Sequence, residues 1–585
     1  MTFRARPTTK PTTRRRGSRA DDGRRNLYMN IGFGLIVVVA VLLLVGAGAA
    51  SWVGDHLAAV AKVNGVSITK DGLRERVKIE AFQLDDAESR TREKVQANHM
   101  SAAQGQQLIQ AIEQQKQQVT AAALEHEIDT ELILQLAAKR NVTASDTAIQ
   151  AQITKDATTP ESRHVYQIAI VPEVTAGATA STDAQVAAAQ AKAAGLLSDL
   201  KGGKTWEDVV KESGDATATA NNGDLLFIDK GSTSPDSAFV DAIFALATAP
   251  AFTDVIKGSD GTFRIGRLTE ISAQQVDPDY TKRLGDAGIS LDFYKRVDSA
   301  FVVRDAIQAQ VLAEVVDSAS QQREVSTIVL ENNGGQAVTP GAILVKHILY
   351  SPNHDPSGAA TLKADDPAWA TAKQEADDAI AKLKAGTATF ASLAASSDDT
   401  GSGAQNGFLP YFSKDDTTQQ LDPAFAAAIY APGLTPGQLL EPVKSSFGWH
   451  VIEFVTADDP STRASKLAAE AEAPGADFAK LADENSIDAS ARKGGAIGWV
   501  AKYQLSPEQQ AVVDPLAVGQ VGGPVEASDG IHLFKVTNIA DRTPDASQIA
   551  TLKTDAFNNW YSAIKADPAQ TTIERLIDTT ASPGA

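Results

Sequence analysis

A chain of 585 residues is too long for one hydrophobic core, and a hydrophobic content of 43% is enough to fold most of it into several domains. The absence of cysteine excludes a disulfide framework, and a formal net charge of −19 argues against nucleic acid as a partner. That charge is unevenly spread, because residues 1–26 carry nine Lys and Arg against only Asp21 and Asp22, a basic tail on an acidic body.

From Asn26 to Gly54 there is no charged residue. About 20 apolar residues, at a rise of about 1.5 Å each, cross the roughly 30 Å hydrocarbon layer. Tyr28 and Trp52 stand where interfacial aromatics belong, and the preceding arginines place the N-terminus on the cytoplasmic side. This predicts a tail over 1–26, a transmembrane helix over 27–53, and a bulk lying outside the cytoplasm, anchored by a single pass. The small residues of GAGAAS also fit a cleaved signal peptide, and either reading exports the remainder.

Beyond the anchor, residues 55–160 read as the first part of a helical domain. Asn64-Gly65 is a tight-turn pair, Thr69 is a helix N-cap, and Leu124, Ile128 and Leu132 recur at the helical spacing before Asn141 stops the run. Residues 162–275 change to a mixed α and β pattern. Over 280–335 the helical pattern returns, carried by an amphipathic stretch at 288–315, so the mixed segment is inserted into a helical domain. Two more mixed segments follow at 341–457 and 458–540. The chain then ends on 545–578, a helix with Ile549, Leu552, Ala556 and Trp560 on one face, and a short strand.

The mixed segments are repeats of one unit. WEDVVKESGDATATANNGDLLFI (206–228), FASLAASSDDTGSGAQNGFLPYF (390–412) and FAKLADENSIDASARKGGAIGWV (478–500) align without gaps, each with an aromatic 17 residues before a glycine: Trp206 and Gly223, Phe390 and Gly407, Phe478 and Gly495. Each unit closes on a glycine turn and a strand-like run: KGSDGTFRIGRL, KSSFGWHVIEF and EASDGIHLFKV. The expected fold class is therefore α+β and multidomain, with an N-terminal transmembrane helix, a helical domain and three α+β modules.

In the second repeat VKHILY, SSDDTGSGAQNGFLPYF, LDPAFAAAIYAPGLTPGQLLEPV and SSFGWHVIEF follow one another over 341–457 in an order and spacing that resembles the parvulin-type peptidyl-prolyl isomerases. The helical flanks, through AKVNGVSIT and EIDTELILQLAAKRNVTASD, resemble the chaperone domain of foldases of the SurA, PrsA and PpiD kind. The resemblance implies that His347 and His450 face each other on adjacent strands, that Asp399 stands beside the twisting amide, and that Ser445 joins the histidine network. It further implies that Leu409, Phe412, Leu421 and Phe425 wall the pocket for the proline ring. Phe447 takes no role from it.

Isomerisation breaks no bond, so this chemistry requires no cofactor and no metal. His126-Glu127 lacks the second histidine of a zinc-protease helix. The acidic loop after His347, with Asp355, Asp365 and Asp366, opposes a phosphorylated substrate. In the first repeat Gln167 stands for His347, Phe263 for His450 and Asp215 for Asp399. In the third, His532 remains, Ile487 lies opposite Asp399, and no first strand is visible, so that repeat reads as truncated or as borrowing a strand. The expected function is a membrane-anchored foldase whose second repeat isomerises X-Pro bonds of unfolded or newly exported polypeptides. The alternative is a holdase with a vestigial site. Monomer and homodimer both stay open.

Overall fold

The computed structural model describes residues 58–173, 181–414 and 421–577. The expected tail and transmembrane helix lie outside them, and no helix among the described residues is long and apolar enough to cross a membrane. The chain divides into two compact units, one holding residues up to 306 with the last segment from Thr571, the other holding 307–570.

In the first unit, strands Ala59–Val63 and Val66–Thr69 turn about Asn64 and Gly65, both at positive φ. The strand Ile573–Arg575 pairs on the other edge of Ala59–Val63. Thr69 caps the helix Lys70–Gln96 by accepting from the Gly72 amide at 3.0 Å. Leu124, Ile128 and Leu132 are buried along the helix Val119–Lys139, and Asn141 ends that run in the left-handed region. The first repeat leaves after the helix Asp146–Asp156 and returns before Tyr280–Asp286; where it leaves and returns, Thr158–Thr159 pairs with Gln275–Val276.

Deep in the helical part Asp298, 2% exposed, faces Asp156 and Arg76. Burial first, and then the charge of Asp156, push its carboxyl up to about 8, with Arg76 opposing. Around the pair the Tyr294 hydroxyl donates to Asp156 at 2.9 Å and lies 3.0 Å from the hydroxyl of Tyr280. Between about pH 4, the ordinary carboxyl range, and about pH 8, the native state keeps a proton that the unfolded chain has lost. Stability of this unit therefore falls as pH rises through that window and is insensitive to this group below it. Asp298→Asn should flatten the slope, read as hydrogen exchange of the 291–306 amides against pH.

Each of the three repeats is built on its own antiparallel sheet, and the three sheets follow one plan. In the first, the order runs from Asp224–Asp229 through Ser162–Ile170 to Phe263–Ser272, with short strands at the far edge. In the second, Leu344–Tyr350 pairs with Trp449–Thr456, and 408–412 touches its outer edge through bridges at Phe408 and Phe412. In the third, the order is Ala496–Val500, Ser320–Leu330, Gly530–Arg542, Val521–Ala527. At one point the three backbones coincide: the amides of Gln167, His347 and Thr327 donate to the carbonyls of Gly223, Gly407 and Gly495 at 2.8, 2.7 and 2.8 Å. All three glycines have positive φ, and a Cβ on any of them would collide with the carbonyl of the residue opposite, which explains their fixed spacing.

This corrects two expectations. The reading of 280–335 as helical holds only to Val316, because Ser320–Leu330 is a strand. That strand is the first strand of the third repeat, which is neither truncated nor a borrower from its neighbour. Instead the whole second repeat is inserted between the third repeat's first strand and its first helix, Pro460–Glu472. Ile328, Leu330, Ala464, Leu467, Leu481 and Leu533 close one core across this interruption. The C-terminal helix Ala546–Ala566 buries Leu552, Ala556 and Trp560, while Ile549 is only half-buried. In its place Gln548 is buried, donating to Gln322 and to the Trp499 carbonyl.

Candidate active site

Strand alternation aims Val345 and His347 to one face of the second repeat's sheet and Lys346 and Ile348 to the other. On the facing strand His450, Ile452 and Phe454 share the first face. The register sets Leu349 opposite His450 and Ile452 opposite His347, so the two histidines are diagonal neighbours. Their Nδ1 atoms lie 3.0 Å apart with the rings stacked at 19°.

Each end of the pair is tied. His347 Nε2 lies 2.7 Å from Asp399 Oδ2 and 2.9 Å from Ser402 Oγ, and the Ser402 hydroxyl donates to the same carboxylate oxygen at 2.7 Å. Ser445 Oγ lies 2.7 Å from His450 Nε2 and accepts from the Phe447 amide at 3.0 Å. A carboxylate only accepts, so His347 Nε2 carries a hydrogen, and the two Nδ1 atoms share one proton between them. With both rings neutral, Ser445 donates to His450, His450 to His347, and His347 to Asp399, a single directed line. Burial, then the neighbouring His347, push His450 down to about 3, so it is neutral at physiological pH. The hydrogen bond from His347, with help from Ser402 and against burial, holds the Asp399 carboxyl well below the usual carboxylate range.

Above this line lies an apolar wall. Leu409, Phe412, Leu421 and Phe425 belong to one cluster with Val345, Ile452 and Phe454. The Phe425 ring meets both histidines edge-on, at 5.9 Å from His347 and 5.0 Å from His450. All eight residues singled out from the sequence thus meet on one face. Ser402 was missed; its signal is its place three residues after Asp399, whose side chain caps the short helix Thr400–Ala404. Phe447 is 49% exposed and contributes its backbone: its carbonyl accepts from Ser351 at 2.7 Å.

Serine, histidine and aspartate in contact are not by themselves a hydrolytic triad. There the acid and the nucleophile sit on opposite ring nitrogens. Here Ser402 and Asp399 share Nε2, and Nδ1 belongs to the other histidine. Among the described residues no group of His, Asp and Glu is arranged to hold a metal ion.

The outer repeats depart from this arrangement, in ways that amend two alignments. In the first repeat Ala169 pairs with Arg264, so Arg264, not Phe263, occupies the register position of His450. Phe263 instead faces the helix-side core, and Arg264 is ion-paired to Asp260 at 2.6 Å. Asp215 accepts from the Ala169 amide at 2.8 Å. His164 is half-buried, 2.9 Å from Asp224. In the third repeat Val329 pairs with His532, which puts Thr327 at the position of His347. The amides of Leu349 and Val329 donate to Ser397 and Ser486, so Asp488, two residues on, matches Asp399, and Ile487 matches Asp398. His532 lies 2.9 Å from Asp529, not from a second histidine.

Comparison with known proteins agrees with the repeat pattern. A model of the PPIC-type PPIase domain matches residues 347–456 and 455–538, and a second model of the same description matches 151–268. The chaperone SurA of Nitrosospira multiformis is 28% identical over 359 residues, covering 54% of this chain and 72% of the relative. That of Aromatoleum aromaticum is 31% identical over 222 residues, covering 33% and 48%. Among solved structures, the peptidylprolyl isomerase PrsA of Bacillus anthracis matches at 22% identity and a TM-score of 0.15, covering 30% of this chain and 62% of that one. With SurA chaperones among its homologues and the domain pattern matched over more than half its length, the chain belongs to the PPIC-type peptidyl-prolyl isomerases.

Proposed function

We propose that this chain is an extracytoplasmic foldase in which the second repeat rotates X-Pro bonds while the rest of the molecule holds unfolded, exported clients. The hydrogen-bonded line from Ser445 to Asp399, lying beneath the Phe412–Phe425 wall, is the observation that supports it. The X-Pro bond has a rotation barrier of about 18–20 kcal/mol but prefers trans by only about 0.5–1 kcal/mol. A catalyst must hold the ring, take the amide out of water and favour the twisted state. The wall does the first two. The polarised histidine pair, anchored on an ionised Asp399, supplies a preorganised field for the third. Only the second repeat has both histidines, so the first and third act without turnover, as client-binding surfaces or spacers. Residues 27–53 anchor the chain to the cell membrane by one helix with the N-terminus in the cytoplasm.

The test is cis/trans exchange of Ala-Pro and phosphoserine-Pro peptides, followed by NMR with the full chain. Acceleration of the Ala-Pro peptide, with slower turnover of the phosphorylated one, is expected from the acidic 355–366 loop. A rate at the uncatalysed value for both, from folded protein, would leave only the holdase.

A further inference from the structure

We propose that the third repeat supplies the positioning half of the second repeat's site: Asn406, with Arg492 across the seam, holds the turn carrying Asp399 and Ser402 against the His347 strand. This rests on the functional reading above.

The third repeat's helix Phe478–Asn485 ends against the second repeat. The last carbonyls of a helix have no partner within it and carry its negative end. Here part of that demand, and two carbonyls just past the helix, are met from the inserted second repeat. Lys346 donates to the Glu484 carbonyl at 3.1 Å, and Asn406 donates to the carbonyls of Ser486 and Asp488 at 2.9 and 2.7 Å. Arg463 of the third repeat serves Asn485 at 3.1 Å. In the opposite direction Arg492 reaches back, donating to the carbonyls of Ala391 and Gly403 at 3.2 and 2.7 Å.

These contacts fall at the back of the site. Lys346 is the strand neighbour of His347, and Gly403 the turn neighbour of Ser402. Asn406 is 1% exposed and sits at positive φ. Next to it the Gly407 amide donates to the Ser402 carbonyl, and the Gly407 carbonyl accepts from the His347 amide, both at 2.7 Å. Asn406 is thus the point at which the Asp399–Ser402 turn, the His347 strand and the third repeat's backbone are tied together. Contact among His347, Asp399 and Ser402 depends on this distance being fixed, and a displacement of about 1 Å in such an array costs up to about 10²-fold in rate.

The experiment uses the full chain. Asn406→Gly removes the donor while keeping a residue at ease with positive φ; Arg492→Ala removes the second tie from an exposed position. Ala-Pro exchange should show kcat lowered about tenfold in the first and about threefold in the second, with KM unchanged because neither side chain belongs to the apolar wall. With Asp399 less firmly paired, the Asn406→Gly variant should also lose about half its kcat near pH 4, where an ordinary carboxyl titrates and the wild type does not. Wild-type kcat and pH profile in both variants would overturn the proposal. So would a loss that tracks unfolding of the 341–457 amides in hydrogen exchange. A wild-type chain that fails to catalyse would instead overturn the functional reading, and the wild-type control tells the two apart.

Discussion

Replacing His450 by alanine is expected to lower kcat/KM toward an Ala-Pro peptide by about 10²-fold or more while leaving suppression of client aggregation unchanged. The side chain is 6% exposed and makes two contacts that nothing else nearby replaces, 3.0 Å to His347 Nδ1 and 2.7 Å to Ser445 Oγ. Its removal leaves a buried Nδ1 on His347 without its partner, at a cost of about 1–3 kcal/mol, and frees that ring to turn away from Asp399. The Phe425 ring, 5.0 Å from His450, also loses part of its footing. Exchange spectroscopy gives the rate, and light scattering of an unfolded client gives the holding activity. Because burial keeps His450 neutral far below pH 6, the wild-type rate should show no step from this residue between pH 6 and 8. Full activity in the alanine variant would make the pair a structural feature of the sheet and move catalysis elsewhere.

The second large effect lies far from the site in sequence. Ile328→Ala should destabilise the third repeat by about 2–5 kcal/mol, the cost of a cavity in a closed core. Ile328 is fully buried and packs against residues from Ala464 to Leu533, all on the other side of the inserted repeat. Hydrogen exchange should report the loss in 460–540 more than in the Trp449–Thr456 strand. Protection unchanged in 460–540 would mean that the strand 320–330 is dispensable and the nested arrangement carries no stability.

The site was legible because its residues are local to motifs: His347 in an alternating strand, Asp399 ahead of a helical turn, His450 after a glycine turn. The repeats were legible because a glycine must face a backbone carbonyl in each. What escaped the sequence were relations that no local pattern encodes. The strand 320–330 follows a long helix, and its partners His532 and Val500 lie far downstream. The gapless alignment named Ile487 and the matched glycine turns named Phe263, each one residue from the register position. A turn one residue longer before the closing strand moves Arg264 into the place of His450, and Ser486 marks the one-residue shift that brings in Asp488. Ser402 escaped because a small residue in a capped turn is usually there for the turn.

The insertion of one repeat into another also imposes an order of assembly. Val329 must find His532 about two hundred residues later, but Leu344 and Thr456, near the two ends of the insert, are themselves paired neighbours. Once the insert has folded, the stretch still to be closed is roughly halved, which changes the closure entropy by only about 0.6 kcal/mol. The gain is therefore in time rather than in stability. A chain emerging N-terminus first completes its isomerase module while the strand 320–330 still lacks both edges, and that strand stays open until residues near 540 arrive. During its own synthesis the chain would thus hold an open strand edge while its catalytic module is already finished.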